Sequence, residues 1–224
     1  MKEFVKAGPA DALAAEADGL TALRQAGARA PRPLAPGRFE FLDLRRSGDW
    51  SALGVMLAEL HRNAGQRFGW HRDNYIGATP QQNGWCDDWA EFWRERRLRP
   101  QFERAGLKSE FFEKLLQNHH PQPSLLHGDL WNGNVGFTAE GPVIFDPAVY
   151  YGDREADLAM TELFGGFPPE FYASYKENYP LEAGYESRKH LYNLYHLLNH
   201  LNIFGGGYLG QVQATLGFLR DSLQ

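Results

Sequence analysis

The chain contains a single cysteine, Cys86, in 224 residues. No internal disulfide can therefore staple it, which fits a reducing compartment. No run approaches the roughly 18 consecutive apolar residues of a helical membrane span. Residues 1–6 are charged and lead into no apolar stretch of the signal-peptide kind. Positive charge is not in excess: Lys and Arg number 23 and Asp and Glu number 28, a net −5, the wrong sign for a protein that grips a nucleic-acid backbone. No internal repeat and no low-complexity tract is present. These absences predict a cytoplasmic protein with neither nucleic acid nor membrane as partner. What remains is an ordinary folded composition, 43% hydrophobic and 23% charged. The length suits one large domain or two unequal lobes with a core of its own.

Punctuation along the chain divides it near residue 46. Residues 3–6 suit a short strand. Asp11 can cap an Ala-rich helix reaching about residue 26, with Leu13, Leu20 and Leu23 at its apolar positions and Gly27 as a stop signal. Pro31, Pro33 and Pro36 forbid a helix after it. Phe39, Phe41 and either Leu42 or Leu44 give a weak strand signal, and residues 45–49 read as a linker. Beyond it the pattern is mainly helical. Ser51 can cap a helix with Leu53, Leu57 and Leu60 on one face. A loop is expected over 65–84, then helices over 87–98, with Pro100 shortly after, and over 109–117. Short strands are expected at 125–126 and 143–145. Helices then follow over 154–164, 168–178, 187–204 and 208–219.

Chemistry concentrates in His127-Gly128-Asp129-Leu130-Trp131-Asn132-Gly133-Asn134 and, eight residues on, Val143-Ile144-Phe145-Asp146. His-Gly-Asp followed by Asn five residues after the Asp would arise by chance roughly 0.002 times in a chain of this composition. A structural alternative is a turn rich in Asp, Asn and Gly. Phosphoryl transfer, however, needs these parts: a carboxylate to take the proton of the attacking hydroxyl, and oxygen ligands to hold Mg²⁺ against nucleotide phosphates. Asp129 suits the first role. Asn134 and Asp146 suit the second.

This segment resembles the protein-kinase-like fold of aminoglycoside and choline phosphotransferases, and more closely the fructosamine kinase (ketosamine-3-kinase) family. Three further stretches carry the resemblance: Phe68-Gly69-Trp70 with Asp73-Asn74-Tyr75-Ile76-Gly77; Gln82-Asn83-Gly84-Trp85 with Asp88-Trp89, Phe92-Trp93 and Arg97-Leu98; and Tyr151-Gly152-Asp153-Arg154-Glu155-Ala156-Asp157-Leu158-Ala159-Met160. The resemblance implies an α+β, two-lobe protein-kinase-like fold. Residues 1–46 would form a truncated N-terminal β lobe, and residues 47–224 a mainly helical C-terminal lobe with the catalytic and metal-binding loops. It implies ATP and Mg²⁺ as cofactors. The substrate would be a ketosamine, free or on a glycated protein lysine, phosphorylated at its 3-hydroxyl as a deglycation repair step. By the same resemblance, Lys6 contacts the nucleotide phosphates with Glu16 as its ion-pair partner. The backbone of Asp43 and Leu44 lies in the hinge beside the adenine. Trp131 and Asn132 are candidates for substrate contact, while His127 and Asp157 support the catalytic loop.

Only five residues precede Lys6, which leaves no room for the glycine-rich hairpin that closes over the phosphates in kinase-like small lobes. The expectation is therefore either a start of the gene further upstream or a shortened member with weaker turnover. Two alternatives follow: a nucleotide-binding relative with little activity, and a kinase for another hydroxyl substrate such as an aminoglycoside or choline-like compound. Three other signals read as structure. Gly205-Gly206-Gly207-Tyr208-Leu209-Gly210 fits a dinucleotide fingerprint literally, yet it follows a helix and reads as a helix–helix turn. His196 and His200, with His190 nearby, have zinc-like spacing but no third ligand. The aromatics over 85–93 suit core packing, or the wall of a sugar site.

Overall fold

The computed structural model describes residues 2–223. Its chain opens with strand β1 (Glu3–Val5) and helix α1 (Ala10–Gln25), followed by β2 (Pro33–Ala35) and β3 (Arg38–Glu40). These three strands form an antiparallel sheet in the order β1-β3-β2, with Phe4 opposite Phe39. The expected cap of α1 is corrected. Pro9 takes that position with no side-chain bond, and Asp11 sits in the first turn, where its charge still complements the helix dipole. Residues 45–49 are tied down by Arg45, whose N–H and C=O both pair with Phe137.

Helix α2 (Trp50–His61) buries Leu53, Leu57 and Leu60 as its spacing predicts, each worth about 1.5–3 kcal/mol on removal from water. Its cap is Asp49, which accepts from the Ala52 N–H at 2.8 Å; Ser51 lies inside the helix. The expected loop over 65–84 contains a hairpin, β4 (Asn74–Ile76) and β5 (Thr79–Gln81). Three-residue strands are too short to leave an alternation in sequence. Pro100 does not end the next helix. Helix α3 (Trp89–Phe92) passes through a π-helical turn (Trp93–Leu98) into α4 (Arg99–Ala105), with Pro100 in the first turn of α4. The Arg96 carbonyl, which Pro100 cannot satisfy because it has no N–H, accepts from the Arg97 guanidinium instead, at 3.1 Å. The helix expected over 109–117 is also corrected to a single 3₁₀ turn, Glu113–Leu115, entered through Phe112 at φ +42°.

Strand β6 (Ser124–Leu126) pairs with β9 (Tyr150–Gly152), and β7 (Val135–Thr138) with β8 (Gly141–Ile144). Helices α5 (Glu155–Leu163), α6 (Pro169–Asn178), α7 (Tyr185–Phe204) and α8 (Leu209–Asp221) complete the chain. The turn between α7 and α8 is 3₁₀-helical, Gly206–Tyr208, so this glycine segment joins two helices. Helices α2 and α6 approach so closely at Gly54 that a Cβ there would lie 2.5 Å from the Phe171 carbonyl oxygen. One apolar core runs from Leu20, Leu23 and Phe39 through α2 to Leu198 and Leu219. Both parts of the chain therefore share packing. Among the described residues, no helix is long and apolar enough to cross a membrane.

Behind β9 lies a buried polar cluster. His119 Nε2 is 2.6 Å from Asp153 Oδ2, its Nδ1 is 3.2 Å from Glu182, and Glu155 forms a two-pronged pair with Arg188 at 2.7 and 2.8 Å. Burial opposes a charge on His119 and Arg188 repels it. The Asp153 hydrogen bond and the carboxylates of Asp153 and Glu155 outweigh both, raising its pKa above the ordinary value. A raised folded-state pKa gives stability that is fully present below the unfolded value, about 6.5, and is lost as pH rises through the folded value. Urea midpoints should therefore show native protein exceeding His119→Gln by more at pH 6 than at pH 9. An equal gap at both would contradict this pairing.

Candidate active site

The loop after β6 is held from below by one carboxylate. Asp157, in the first turn of α5, accepts the N–H of His127 at 2.7 Å and of Gly128 at 2.8 Å. It also meets His61 Nε2 at 3.1 Å. His127 Nδ1 accepts the Asp129 N–H at 3.2 Å and its Nε2 donates to the Phe145 carbonyl at 3.0 Å. Those two bonds define the neutral tautomer protonated at Nε2, and burial pushes the pKa of this ring below its ordinary value. The Phe145 N–H donates to the Asn134 carbonyl at 3.1 Å and the Ala148 N–H to the His127 carbonyl at 2.8 Å. The loops carrying Asp129, Asn134 and Asp146 are thus mutually bonded.

Asn134 Nδ2 donates to the Asp129 backbone carbonyl at 2.8 Å and to its Oδ2 at 3.3 Å, which leaves Asn134 Oδ1 as an acceptor for a cation. Asp146 sits at φ +54°, a conformation Asp tolerates better than most residues. Its half-exposed carboxylate reaches Lys6 Nζ at 3.0 Å, while Lys6 also meets Glu16 at 2.9 Å. Burial alone would lower the Lys6 pKa, but the Glu16 hydrogen bond and the Asp146 charge reverse it, so the ammonium is held charged. Asp129 behaves oppositely. Burial, with added repulsion from Asp157 and Asp146 and despite the Asn134 hydrogen bond, pushes its carboxyl up to about 7.

These side chains line two adjoining cavities. The larger, about 550 Å³, contains Lys6, Glu16, Asp129, Trp131, Asn134 and Asp146. The other, about 470 Å³, shares Lys6, Glu16 and Asp146 and runs under Phe4, Phe41, Asp43 and Leu44. Hard oxygen donors from one amide and one carboxylate suit Mg²⁺ in this arrangement. Asn132 does not line either cavity; its Nδ2 donates to the Gly166 carbonyl at 3.0 Å. Trp89, Phe92 and Trp93 are buried in the core rather than lining the larger cavity, and Trp85 stacks on Tyr151. His196 is buried, and its pKa is pushed down to about 3 mainly by that burial. His200 Nδ1 meets the His196 carbonyl. Among the described residues, the cluster with metal-ligand spacing is His119, Asp153 and Glu155, where Arg188 already occupies Glu155. Asn199, His200, Ile203 and Phe204 of α7 and Asn74 and Tyr75 of β4 also line the larger cavity. Of these α7 residues the sequence singles out only His200, by its spacing from His196.

A two-part chain with a lysine–glutamate pair on one side and an Asp, Asn and Asp on the other defines the protein-kinase-like class of small-molecule phosphotransferases. A choline kinase from Streptococcus pneumoniae shares this fold at 14% identity and a TM-score of 0.58, over 93% of this chain and 80% of that one. Closer likeness is narrower in kind. Residues 2–221 match the family model described as fructosamine kinase, and the chain belongs to that family. It is 46% identical over 241 aligned positions to a probable ketoamine kinase of Synechocystis, covering 96% of this chain and 82% of that protein. It is 42% identical to a chloroplastic protein-ribulosamine 3-kinase of Arabidopsis thaliana, over 90% of this chain and 70% of that one. A crystal structure of a Thermobifida fusca protein assigned as a fructosamine-3-kinase superposes with a TM-score of 0.85 at 32% identity, over 96% of this chain and 82% of that one.

Gly128 is the tightest point of the site. Its φ is +82° and a Cβ would lie 2.1 Å from the Ala148 carbonyl oxygen. Gly128→Ala should destabilise the fold by more than about 1 kcal/mol, read as a lower urea midpoint. An unchanged midpoint would show that the two loops are not in contact.

Proposed function

We propose that the chain transfers the γ-phosphoryl group of ATP to the 3-hydroxyl of a ketosamine, a fructosamine or ribulosamine adduct that is free or on a protein lysine, and so serves deglycation in the cytoplasm. The observation that carries this reading is the convergence of Lys6, Glu16, Asp129, Asn134 and Asp146 on two adjoining cavities. The nucleotide would lie between residues 1–46 and 47–224. Its base would enter the smaller cavity beside the backbone of Asp43 and Leu44, and its phosphates would meet Lys6, which Glu16 keeps charged and aimed.

Asn134 Oδ1 and the Asp146 carboxylate would hold Mg²⁺. The ion, when bound, supplies positive charge that offsets the charge moving onto the β–γ bridging oxygen. Asp129 accepts the proton of the sugar hydroxyl as that oxygen bonds to the γ-phosphorus and the bond to the bridging oxygen breaks, releasing ADP. Its raised pKa makes it a serviceable base near neutral pH. Trp131, 37% exposed and lining the larger cavity, offers an aromatic face to sugar C–H groups. Asn132, bonded to Gly166, supports the turn beside it. His127 and Asp157 keep the loop in shape without touching substrate.

ATP consumption measured with fructosamine, ribulosamine, choline and an aminoglycoside is the test. Turnover confined to the ketosamines is expected, and turnover only with the others would overturn the reading. Asp129→Asn should lose about 10²–10⁴-fold in kcat with nucleotide affinity kept; full activity would remove Asp129 from the role. In the parent protein kcat/KM should fall as pH drops through the Asp129 pKa, about 7 in the metal-free protein and lower with Mg²⁺ near it. A rate that is flat from pH 8 to 5 would contradict a base at this position.

A further inference from the structure

The residues that follow Asp146 are gripped by a buried amide network that originates in the β4–β5 hairpin. Gln81, 2% exposed, donates from Nε2 to the Ala148 carbonyl at 3.1 Å and to Asn74 Oδ1 at 2.8 Å, and its Oε1 accepts the Tyr195 hydroxyl at 2.7 Å. Asn74, 4% exposed, donates to the Val149 carbonyl at 2.8 Å. Asn83 donates to Asn74 Oδ1 at 2.8 Å and is itself held by the Arg97 guanidinium at 2.8 Å. Arg97 is fully buried and stacks 4.0 Å from the Tyr150 ring centroid, and among the described residues no carboxylate forms an ion pair with it. Burying an arginine this way is costly, and here its hydrogen bonds go to the Asn83 side chain and to the Gln82 and Arg96 carbonyls.

Ala148 is where this network meets the catalytic loop. Its N–H donates to the His127 carbonyl, its carbonyl oxygen presses on Gly128, and Gln81 fixes that carbonyl from the other side. Ala148 is two residues after Asp146 with only Pro147 between, so a shift of its carbonyl moves Asp146 relative to Asp129.

We infer that Gln81, oriented by Tyr195, is a positioning residue that sets the spacing between Asp129 and Asp146 and thereby the metal-dependent part of nucleotide binding. This rests on the reading of Asp146 as a Mg²⁺ ligand. It adds a hairpin far from that loop in sequence to the parts that tune the ligand, much as groups bonded to a ligating side chain do in other metal sites.

The test is calorimetric binding of a non-hydrolysable ATP analogue to the full chain with and without Mg²⁺. Gln81→Met keeps the length of the side chain and removes both amide functions. It should reduce the ratio of Mg²⁺-supported to Mg²⁺-free affinity by about 10-fold. Tyr195→Phe, which retains the ring and loses only the hydroxyl, should reduce it less. A merely structural role would lower the melting temperature and leave that ratio unchanged in both variants, and this result would overturn the inference. Should Gln81→Met fail to fold, Tyr195→Phe alone decides: a ratio equal to the parent's overturns the inference. Ketosamine turnover by the parent protein tests the functional reading separately, and the binding ratio does not depend on it.

Discussion

The site depends on one buried carboxylate. Asp157 is 1% exposed and takes two backbone N–H groups and an imidazole. Burial raises the cost of its charge. The His61 hydrogen bond and the Gly128 N–H reverse that cost and hold its carboxyl below the ordinary range. A buried carboxylate without such partners would cost several kcal/mol. The loop at 127–129 can keep its shape because its N–H groups are the ones that satisfy Asp157, and each side requires the other. Tyr175 of α6 extends the same chain of bonds through His61, at 2.8 Å. The helical packing and the catalytic loop are therefore coupled through a run of polar contacts rather than through apolar surface alone.

Charge around the two cavities is arranged by contrast. Lys6 is kept cationic between Glu16 and Asp146, whereas Asp129 sits among carboxylates and protein walls that raise its affinity for a proton. Two carboxyls of the same intrinsic chemistry thereby face different surroundings. Asp146 is half-exposed and lies 3.0 Å from the Lys6 ammonium, open to a cation on its free side. Asp129 is half-buried and near other negative charge, with its carboxyl pushed up to about 7, suited to exchanging a proton near neutral pH. The proposed division of labour rests on the environment, not on the residue type.

Much of this was legible in sequence, unevenly. The long helices α2, α6, α7 and α8 follow from apolar spacing sustained over several turns. The two parts of the candidate motif are local in sequence, so Asp129, Asn134 and Asp146, which line one cavity, could be proposed from spacing. Lys6 and Glu16 carry no such local signal, and only the family resemblance singled them out. Short-range punctuation misled: Asp11 and Ser51 suit caps while Pro9 and Asp49 occupy those positions, and Pro100 suits a stop but sits in the first turn of α4, just after a π-helical turn. The three-residue strands β4, β5 and β9 leave too short a pattern to detect. The α7 side of the larger cavity leaves no sequence signal beyond the 196/200 spacing, because Asn199, His200, Ile203 and Phe204 come together with Asp129 only through tertiary packing.

A crystal structure of the chain with Mg²⁺ and a non-hydrolysable ATP analogue tests the central claim most directly. The account predicts the metal on Asn134 Oδ1 and the Asp146 carboxylate, the adenine in the cavity beneath Phe41 and Leu44, Lys6 on the phosphates, and Asp129 free of metal and facing the open part of the larger cavity. Metal coordinated by Asp129 in place of Asp146, or an adenine bound outside that cavity, would contradict it.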